Sequence, residues 1–175
     1  YLYNHHELAE KIIENEKNSI PTFLFGVSFA LLDFSEKYQF QDLKYTKIMD
    51  TGGMKGRRKE IVLEEFHHIL KNSLGVDRIY SEYGMTELMS QAYSKENGEF
   101  YCPPSMRVFR RALDDPFEVR DSSGSGLLNI IDLNNTDSCA FLATDDLCNI
   151  SENGHFKILG RADFSDMRGC NVMVG

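Results

Sequence analysis

Val76-Asp77-Arg78-Ile79-Tyr80-Ser81-Glu82-Tyr83-Gly84-Met85-Thr86-Glu87 sets both the topology and the chemistry expected of this chain. The first five residues carry Val, Ile and Tyr, side chains that suit a pleated and half-buried surface, and they predict a strand over 76–80. Beyond that strand come an aromatic, a glycine, a hydroxyl and a carboxylate in close succession. Those types suit a bound nucleotide: a ring stacks on the base, and a glycine lets the backbone come close. The hydroxyl donates to phosphate, and the carboxylate can hold the magnesium that travels with phosphates.

Upstream, residues 7–17 read as a helix with Leu8, Ile12 and Ile13 on one side, and Pro21 stops it. Residues 22–26 form a short buried strand, and 29–37 a helix with Phe29, Leu31 and Leu32 inward. Residues 45–50 make a strand that ends in Thr51-Gly52-Gly53. A second crossover helix is expected over 57–74, with Val62, Phe66, Ile69 and Leu70 on its apolar face and Gly75 as its stop. This alternation of strand and helix is the pattern of a parallel sheet with crossover helices, in which ligands sit beyond the carboxyl ends of the strands. Gly52-Gly53 and Tyr83-Gly84 both fall there.

Downstream of Ser94-Lys95-Glu96-Asn97-Gly98-Glu99 the texture changes. Short β-type runs over 106–109, 117–120, 127–132, 139–144 and 155–159 are separated by turn clusters such as 122–126 and Asn134-Asn135. They predict a small antiparallel β lobe, a curled sheet or barrel. The expected fold is therefore α/β: a parallel sheet with crossover helices over 1–96, followed by an antiparallel β lobe over 97–175.

With 175 residues, 42% of them hydrophobic, the chain can bury a substantial core. A formal charge of -8 argues against a nucleic-acid partner, and Lys55-Gly56-Arg57-Arg58-Lys59 is too short a basic run to reverse that. No apolar run reaches the roughly 20 residues needed to cross a bilayer. The first ten residues are polar and do not begin with Met, so no signal peptide is expected and a piece of a longer protein is. Four scattered cysteines, Cys102, Cys139, Cys148 and Cys170, form no C-x-x-C pair and fit free thiols in a reducing, cytoplasmic setting.

Two further motifs lie in the second half. Leu142-Ala143-Thr144-Asp145-Asp146-Leu147 places paired carboxylates at the end of a predicted strand, and Gly160-Arg161-Ala162-Asp163 follows the last one. Taken in order, Y-G-M-T-E, T-D-D-L and G-R-A-D resemble the adenylate-forming superfamily, which activates carboxylic acids with ATP. Thr51-Gly52-Gly53-Met54-Lys55-Gly56-Arg57 and the run from Gly160 through Asp166-Met167-Arg168-Gly169-Cys170-Asn171 narrow the likeness to the acyl-protein synthetases of the LuxE family. The resemblance covers nearly everything from Phe25 to Val174.

That resemblance implies roles for single residues. Gly52 and Gly53 would lie against adenine and Tyr83 would stack on its face, with Glu82, Gly84 and Met85 completing that wall. Thr86 would bind the α-phosphate and Glu87 would hold magnesium, the two acting catalytically with Cys170. Asp146 takes the place of the superfamily's ribose-binding Asp, although Asp145 stands where a glycine is usual. Arg161 would reach the ribose or phosphate edge, and Asp163 matches the hinge before the superfamily's C-terminal lid. Cys170, in Arg168-Gly169-Cys170-Asn171, would take the activated acyl group, the neighbouring arginine favouring its thiolate. Cys102, Cys139 and Cys148 read as structural thiols.

The implied cofactors are ATP and Mg. The implied substrate is a fatty acid or related carboxylic acid, with an acyl-reductase or carrier protein as a further partner. Phe25, Val27, Phe29 and Met85 are candidate walls for the acid. The superfamily's Gly/Ser/Thr-rich phosphate loop and its lid with a catalytic lysine are not found in these 175 residues, so the chain alone is expected to bind nucleotide weakly without turnover. Rival readings are a ligase passing its acyl group to coenzyme A or a carrier protein, and a non-catalytic nucleotide-binding module. Plainer readings of the same residues are Thr86 as N-cap of a helix over 87–93, Gly52-Gly53 as a turn and Asp145-Asp146 as a solvated strand end. Lys55 to Lys59 reads as an exposed helix start. His5-His6 and His67-His68 lack metal-ligand spacing and read as surface features.

Overall fold

The computed structural model of the chain describes residues 1, 4–54 and 61–162. The chain divides into two units, Tyr1–Gly84 with Ala92–Phe100, and Met85–Gln91 with the chain from Tyr101 onward.

In the first unit α1 (His5–Lys17) begins at Asn4, whose side chain accepts the Glu7 N–H at 3.2 Å and satisfies one orphan donor of the first turn. Ala9 and Ile12 are buried, while Ile13, expected on the same face, is exposed. β1 (Thr22–Val27), α2 (Ser28–Lys37), β2 (Thr46–Thr51), α3 (Leu63–Leu74) and β3 (Ile79–Tyr83) follow in alternation. β1 pairs parallel with β2, and β2 parallel with β3, so α2 and α3 are crossover helices of a parallel sheet. β4 (Ala92–Ser94) then pairs antiparallel with β3. Leu24, Ile48 and Ile79 from the strands meet Leu31, Phe34, Phe66, Leu70 and Leu74 from the helices in one apolar core.

α3 starts later than the periodicity suggests. Val62 is its N-cap in extended conformation and is 71% exposed, so it does not join the buried face. The helix ends at Gly75, whose φ of 62° lies in the left-handed region. A Cβ there would come within 2.6 Å of the Phe40 carbonyl oxygen and the Gln41 carbonyl carbon, so glycine is required twice over. β3 also starts later than expected, because the Val76 N–H is still turned back onto the Lys71 carbonyl. Ser81, Glu82 and Tyr83 are consequently strand residues, and Gly84 is the first residue past the strand.

β5 (Phe100–Tyr101) lies where the chain passes from the first unit to the second. The second unit is built from β6 (Met106–Arg111), β7 (Val119–Arg120), β8 (Gly124–Asp132), β9 (Phe141–Ile150) and β10 (Phe156–Arg161). All their pairings are antiparallel, in the order β10-β9-β8-β6-β7. Leu127, Leu128, Ile130, Cys148, Ile150 and Phe156 are buried in this unit.

β9 does not end at Thr144 but runs on to Ile150. Asp145 and Asp146 are therefore inside a strand, not at its solvated end. The sheet absorbs them with an irregularity: Leu127 pairs with Leu147 and Asn129 with Ala143, so three residues of β9 stand opposite Leu128 alone.

The helix expected over 87–93 does not form. Met85 and Leu88 close a turn, and Ala92–Ser94 is strand β4. The backbone N–H groups of Met89 and Ser90 are held by the Asp132 carboxylate, an alternative to helical hydrogen bonding, and Thr86 caps nothing.

Candidate functional site

Gly52, Gly53, Glu82, Tyr83 and Gly84 lie together at the carboxyl end of the parallel sheet of the first unit. Thr51 and Glu82 are register partners on adjacent strands, and the Thr51 hydroxyl donates to Glu82 Oε1 at 3.0 Å. Gly52 has a φ of 65°, a left-handed turn that a side chain would strain. Its carbonyl accepts the Ser28 hydroxyl at 2.8 Å, which fixes the turn to the start of α2. Tyr83 packs edge-on against Phe100, with ring centroids 5.9 Å apart. Burial, and then the adjacent Glu82 carboxylate, raise the Tyr93 phenol above its ordinary pKa.

Beneath this turn lies a buried polar network. Asp50 and Ser81 are register partners on β2 and β3, and Ser81 Oγ donates to Asp50 Oδ1 at 2.6 Å. His67 Nε2 from α3 stands 3.1 Å from the same carboxylate oxygen and 3.0 Å from Ser81 Oγ. His67 is 5% exposed, so its assignment to the surface is corrected. The helical pattern counts histidine as polar, but here the face of α3 that carries Phe66 and Leu70 also meets an inward-facing Asp and Ser. His68 is exposed and pairs with Asn72. One ring nitrogen serves both partners of His67, so this is not the relay in which a histidine links acid and nucleophile through opposite nitrogens. It is a support under Gly52.

Met85, Thr86, Glu87, Asp146 and Arg161 belong to the second unit. Thr86 and Glu87 are exposed, while the backbone around them is tightly held. Asn135 Nδ2 donates to the Glu87 carbonyl at 2.7 Å. Asp132, fully buried at 0% exposure, accepts the Met89 N–H at 2.8 Å, the Ser90 N–H at 2.7 Å and the Ser90 hydroxyl at 2.7 Å. Burial alone would raise the Asp132 pKa, but the donors from Ser90, Asn134 and Met89 outweigh it and lower the pKa below its ordinary value.

Asp146 and Arg161 are register partners on β9 and β10, with Arg161 Nε 3.4 Å from Asp146 Oδ1. Two irregularities meet there. One is the excess on β9 opposite Leu128; the other is a register shift between Ile158 and Gly160 on β10. The Thr144 hydroxyl donates to the Leu128 carbonyl at 2.8 Å and accepts the Asp146 N–H at 3.1 Å, so the threonine of T-D-D builds the distortion. The side chain of Asp146 is 14% exposed and that of Arg161 is 76% exposed, leaving the guanidinium open to a ligand.

Cys102 and Cys148 have thiol pKa values pushed up by burial to about 11, while Cys139 is exposed and donates to the Phe141 carbonyl. Lys55 to Lys59, Asp163 and Cys170 lie outside the described residues. Among the described residues no cluster of His, Cys, Asp and Glu is arranged to hold a metal ion by itself, and no helix is long and apolar enough to cross a membrane.

The sequence model of the acyl-protein synthetase family, LuxE, matches residues 5–175. The chain belongs to this family. Comparison with curated proteins found no match. Among solved structures, this LuxE-family chain is similar to apo MatB from Rhodopseudomonas palustris: 16% identity over 92% of the chain and 34% of MatB, with a TM-score of 0.65. The ATP-bound form of MatB superposes with a TM-score of 0.67 at 15% identity, over 91% of this chain and 33% of that one. O-succinylbenzoate coenzyme A synthetase (MenE) from Bacillus subtilis, solved with ATP and a magnesium ion, gives 0.60 at 16% identity over 87% of this chain and 34% of that one. At such identities the likeness shows the fold. The chain spans about a third of the length of these structures.

Asp50, Ser81, His67, Asp132 and Asn135 went unmarked as candidates. A signal existed for two of them: Asp50 follows Ile48, and Asp132 follows Leu128 and Ile130, in the two-residue phase of buried positions. A charged residue in that phase points to a buried acceptor with dedicated donors.

Proposed function

We propose that the protein activates a carboxylic acid with ATP and passes the acyl group to a thiol. In the first step a carboxylate oxygen attacks the α-phosphorus of ATP, the bond to the bridging oxygen breaks, and acyl-AMP and pyrophosphate form. In the second, a cysteine sulfur attacks the acyl carbon, the carbon–oxygen bond to AMP breaks, and a thioester and AMP result, the thiol proton passing to solvent. The acid is a long-chain fatty acid, the thiol is Cys170, and an acyl-reductase or carrier protein takes the acyl group onward in the cytoplasm.

The Asp146–Arg161 pair carries this reading. A mostly buried carboxylate beside an open guanidinium, held on two adjoining strand irregularities, is a donor and acceptor set suited to ribose hydroxyls and phosphate. The Gly52 turn, open and left-handed, suits close approach of a base beside Tyr83. Thr86 would donate to the α-phosphate. Glu87 would hold magnesium, which offsets the charge of the phosphates when bound. The role of the protein is positioning and charge compensation.

Burial narrows the choice of thiol to two. Cys102 and Cys148, with pKa values of about 11, are poorly nucleophilic near neutrality, which leaves Cys139 and Cys170. The test is acid-dependent ATP–pyrophosphate exchange by the complete protein, followed by peptide mapping after incubation with ATP and a long-chain acid. The expected result is exchange, with the acyl group on Cys170. Absence of exchange refutes the activation step. Acylation of Cys139, or of none of the cysteines, refutes the Cys170 assignment. Thioester formation on coenzyme A by Cys170→Ser would favour a coenzyme A ligase instead. The 175-residue chain alone is expected to bind nucleotide weakly and release no pyrophosphate.

A further inference from the structure

We infer that Asp132 and Asn135 are positioning residues for the segment that carries Thr86 and Glu87, and that they set the magnesium requirement for ATP binding. This inference rests on the function proposed above. Residues 85–91 contain no helix or strand, yet Thr86 and Glu87 would have to present a hydroxyl and a carboxylate in fixed directions. In such a segment the backbone must be fixed by something other than its own ladder.

The turn after β8 does this from below. One oxygen of Asp132 accepts two consecutive amides, Met89 at 2.8 Å and Ser90 at 2.7 Å, and the other accepts the Ser90 hydroxyl at 2.7 Å and the Asn134 N–H at 3.1 Å. Ser90 also faces Ser105 Oγ at 3.0 Å, so the hydroxyl is gripped from a second strand connection. Asn135 reaches closer to the chemistry. Its amide nitrogen bridges the carbonyls of Glu87, at 2.7 Å, and Cys139, at 2.8 Å, which ties the carbonyl of the proposed magnesium ligand to the β8–β9 connection. Asp132 and Asn135 are both buried, at 0% and 6% exposure, so these bonds do not compete with bulk water.

The chemistry of the acceptors selects the variants. Asn135→Asp keeps the shape but sets a carboxyl oxygen against two carbonyl oxygens, so the grip on Glu87 becomes repulsion. Asp132→Asn keeps the shape too. Its NH2 group can face the Asn134 side, where the Ser90 hydroxyl can turn to accept and only the longer 3.1 Å Asn134 N–H bond is lost, so it should act more mildly. Ser90→Ala removes one donor and leaves the carboxylate, and Ser94→Ala, a buried hydroxyl elsewhere, is the control.

The experiment titrates magnesium at fixed ATP by calorimetry on the complete protein. Amide hydrogen exchange at Met89 and Ser90 is measured without nucleotide, and melting is recorded for every variant. Asn135→Asp is expected to raise the magnesium concentration for half-maximal ATP binding about tenfold or more, and Ser90→Ala about threefold. Ser94→Ala is expected to leave it unchanged, and Asp132→Asn to speed exchange of the two amides. If Asn135→Asp fails to fold, Ser90→Ala carries the test alone. Folded variants with faster amide exchange but the wild-type magnesium dependence overturn the inference, because the clamp then only stabilises the fold. A wild-type protein that binds no Mg·ATP overturns the proposed function, and this inference falls with it.

Discussion

Replacing Ser81 by alanine removes one oxygen from the network under the Gly52 turn, and the surroundings give its cost. Ser81 is 1% exposed and donates at 2.6 Å to Asp50, itself 3% exposed. A hydrogen bond to a charged group contributes about 1.5–3 kcal/mol net, because the alternative is a buried acceptor with a missing donor. Without the hydroxyl, Asp50 Oδ1 is left to the longer 3.1 Å contact with His67. The expected loss is about 2 kcal/mol, roughly thirtyfold in the ratio of folded to unfolded protein. Ser28→Ala is the internal comparison: its hydroxyl donates at 2.8 Å to the neutral Gly52 carbonyl and reaches Asp50 Oδ2 only at a longer 3.3 Å. Its expected cost is about 1 kcal/mol. Equilibrium urea unfolding of the complete protein at neutral pH measures both. With an unchanged slope, the Ser81→Ala midpoint should fall by about 1 M. A loss under about 0.5 kcal/mol, or one no larger than that of Ser28→Ala, would mean that the short Ser81–Asp50 bond between β2 and β3 does not contribute as a charge-assisted bond.

Gly75→Ala should cost about 3 kcal/mol or more, since it adds a clash with the backbone of Phe40 and Gln41 to the strain of a left-handed side chain. Gly154→Ala, at a φ of 77° with nothing within 4 Å, carries the conformational cost alone, so equal losses in urea unfolding would refute the close approach at Gly75. Asp132 has a pKa held below its ordinary 3.8, so its contribution is complete above that value and is lost as pH falls through the folded pKa. The acid limb of the stability curve should therefore be flatter for Asp132→Asn than for wild type, and superimposable limbs would refute the depressed pKa. At about pH 8, iodoacetamide should label Cys139 well before Cys102 and Cys148. Peptide mapping of the native protein reads the order, and equal labelling would contradict the burial of the latter two.

Much of the α/β half was legible in one dimension because its signals are local. Apolar phase places Leu24, Ile48 and Ile79 in strands, Phe66 and Leu70 mark the inner face of α3, and Gly75 is a helix stop readable from the local pattern. The errors fall where a distant residue supplies what local pattern lacks. The segment after Glu87 is apolar enough for a helix, yet Asp132, more than forty residues away, takes two of its amides. Paired aspartates at 145–146 interrupt the alternation and suggest a strand end, but the Thr144 hydroxyl and the opposing Leu128 carbonyl build an irregularity that lets β9 continue.

The sequence by itself determined the alternation of strand and helix up to β3, the antiparallel texture downstream and the family, because periodicity, glycine stops and motif order are properties of neighbours along the chain. Tertiary structure alone decided which polar groups are buried and what satisfies them: His67 against Asp50 and Ser81, Asp132 against Met89 and Ser90, Asp146 beside Arg161. The physical reason is that a buried acceptor must find its donors in space. In each of these networks, folding brings them from different elements of the chain.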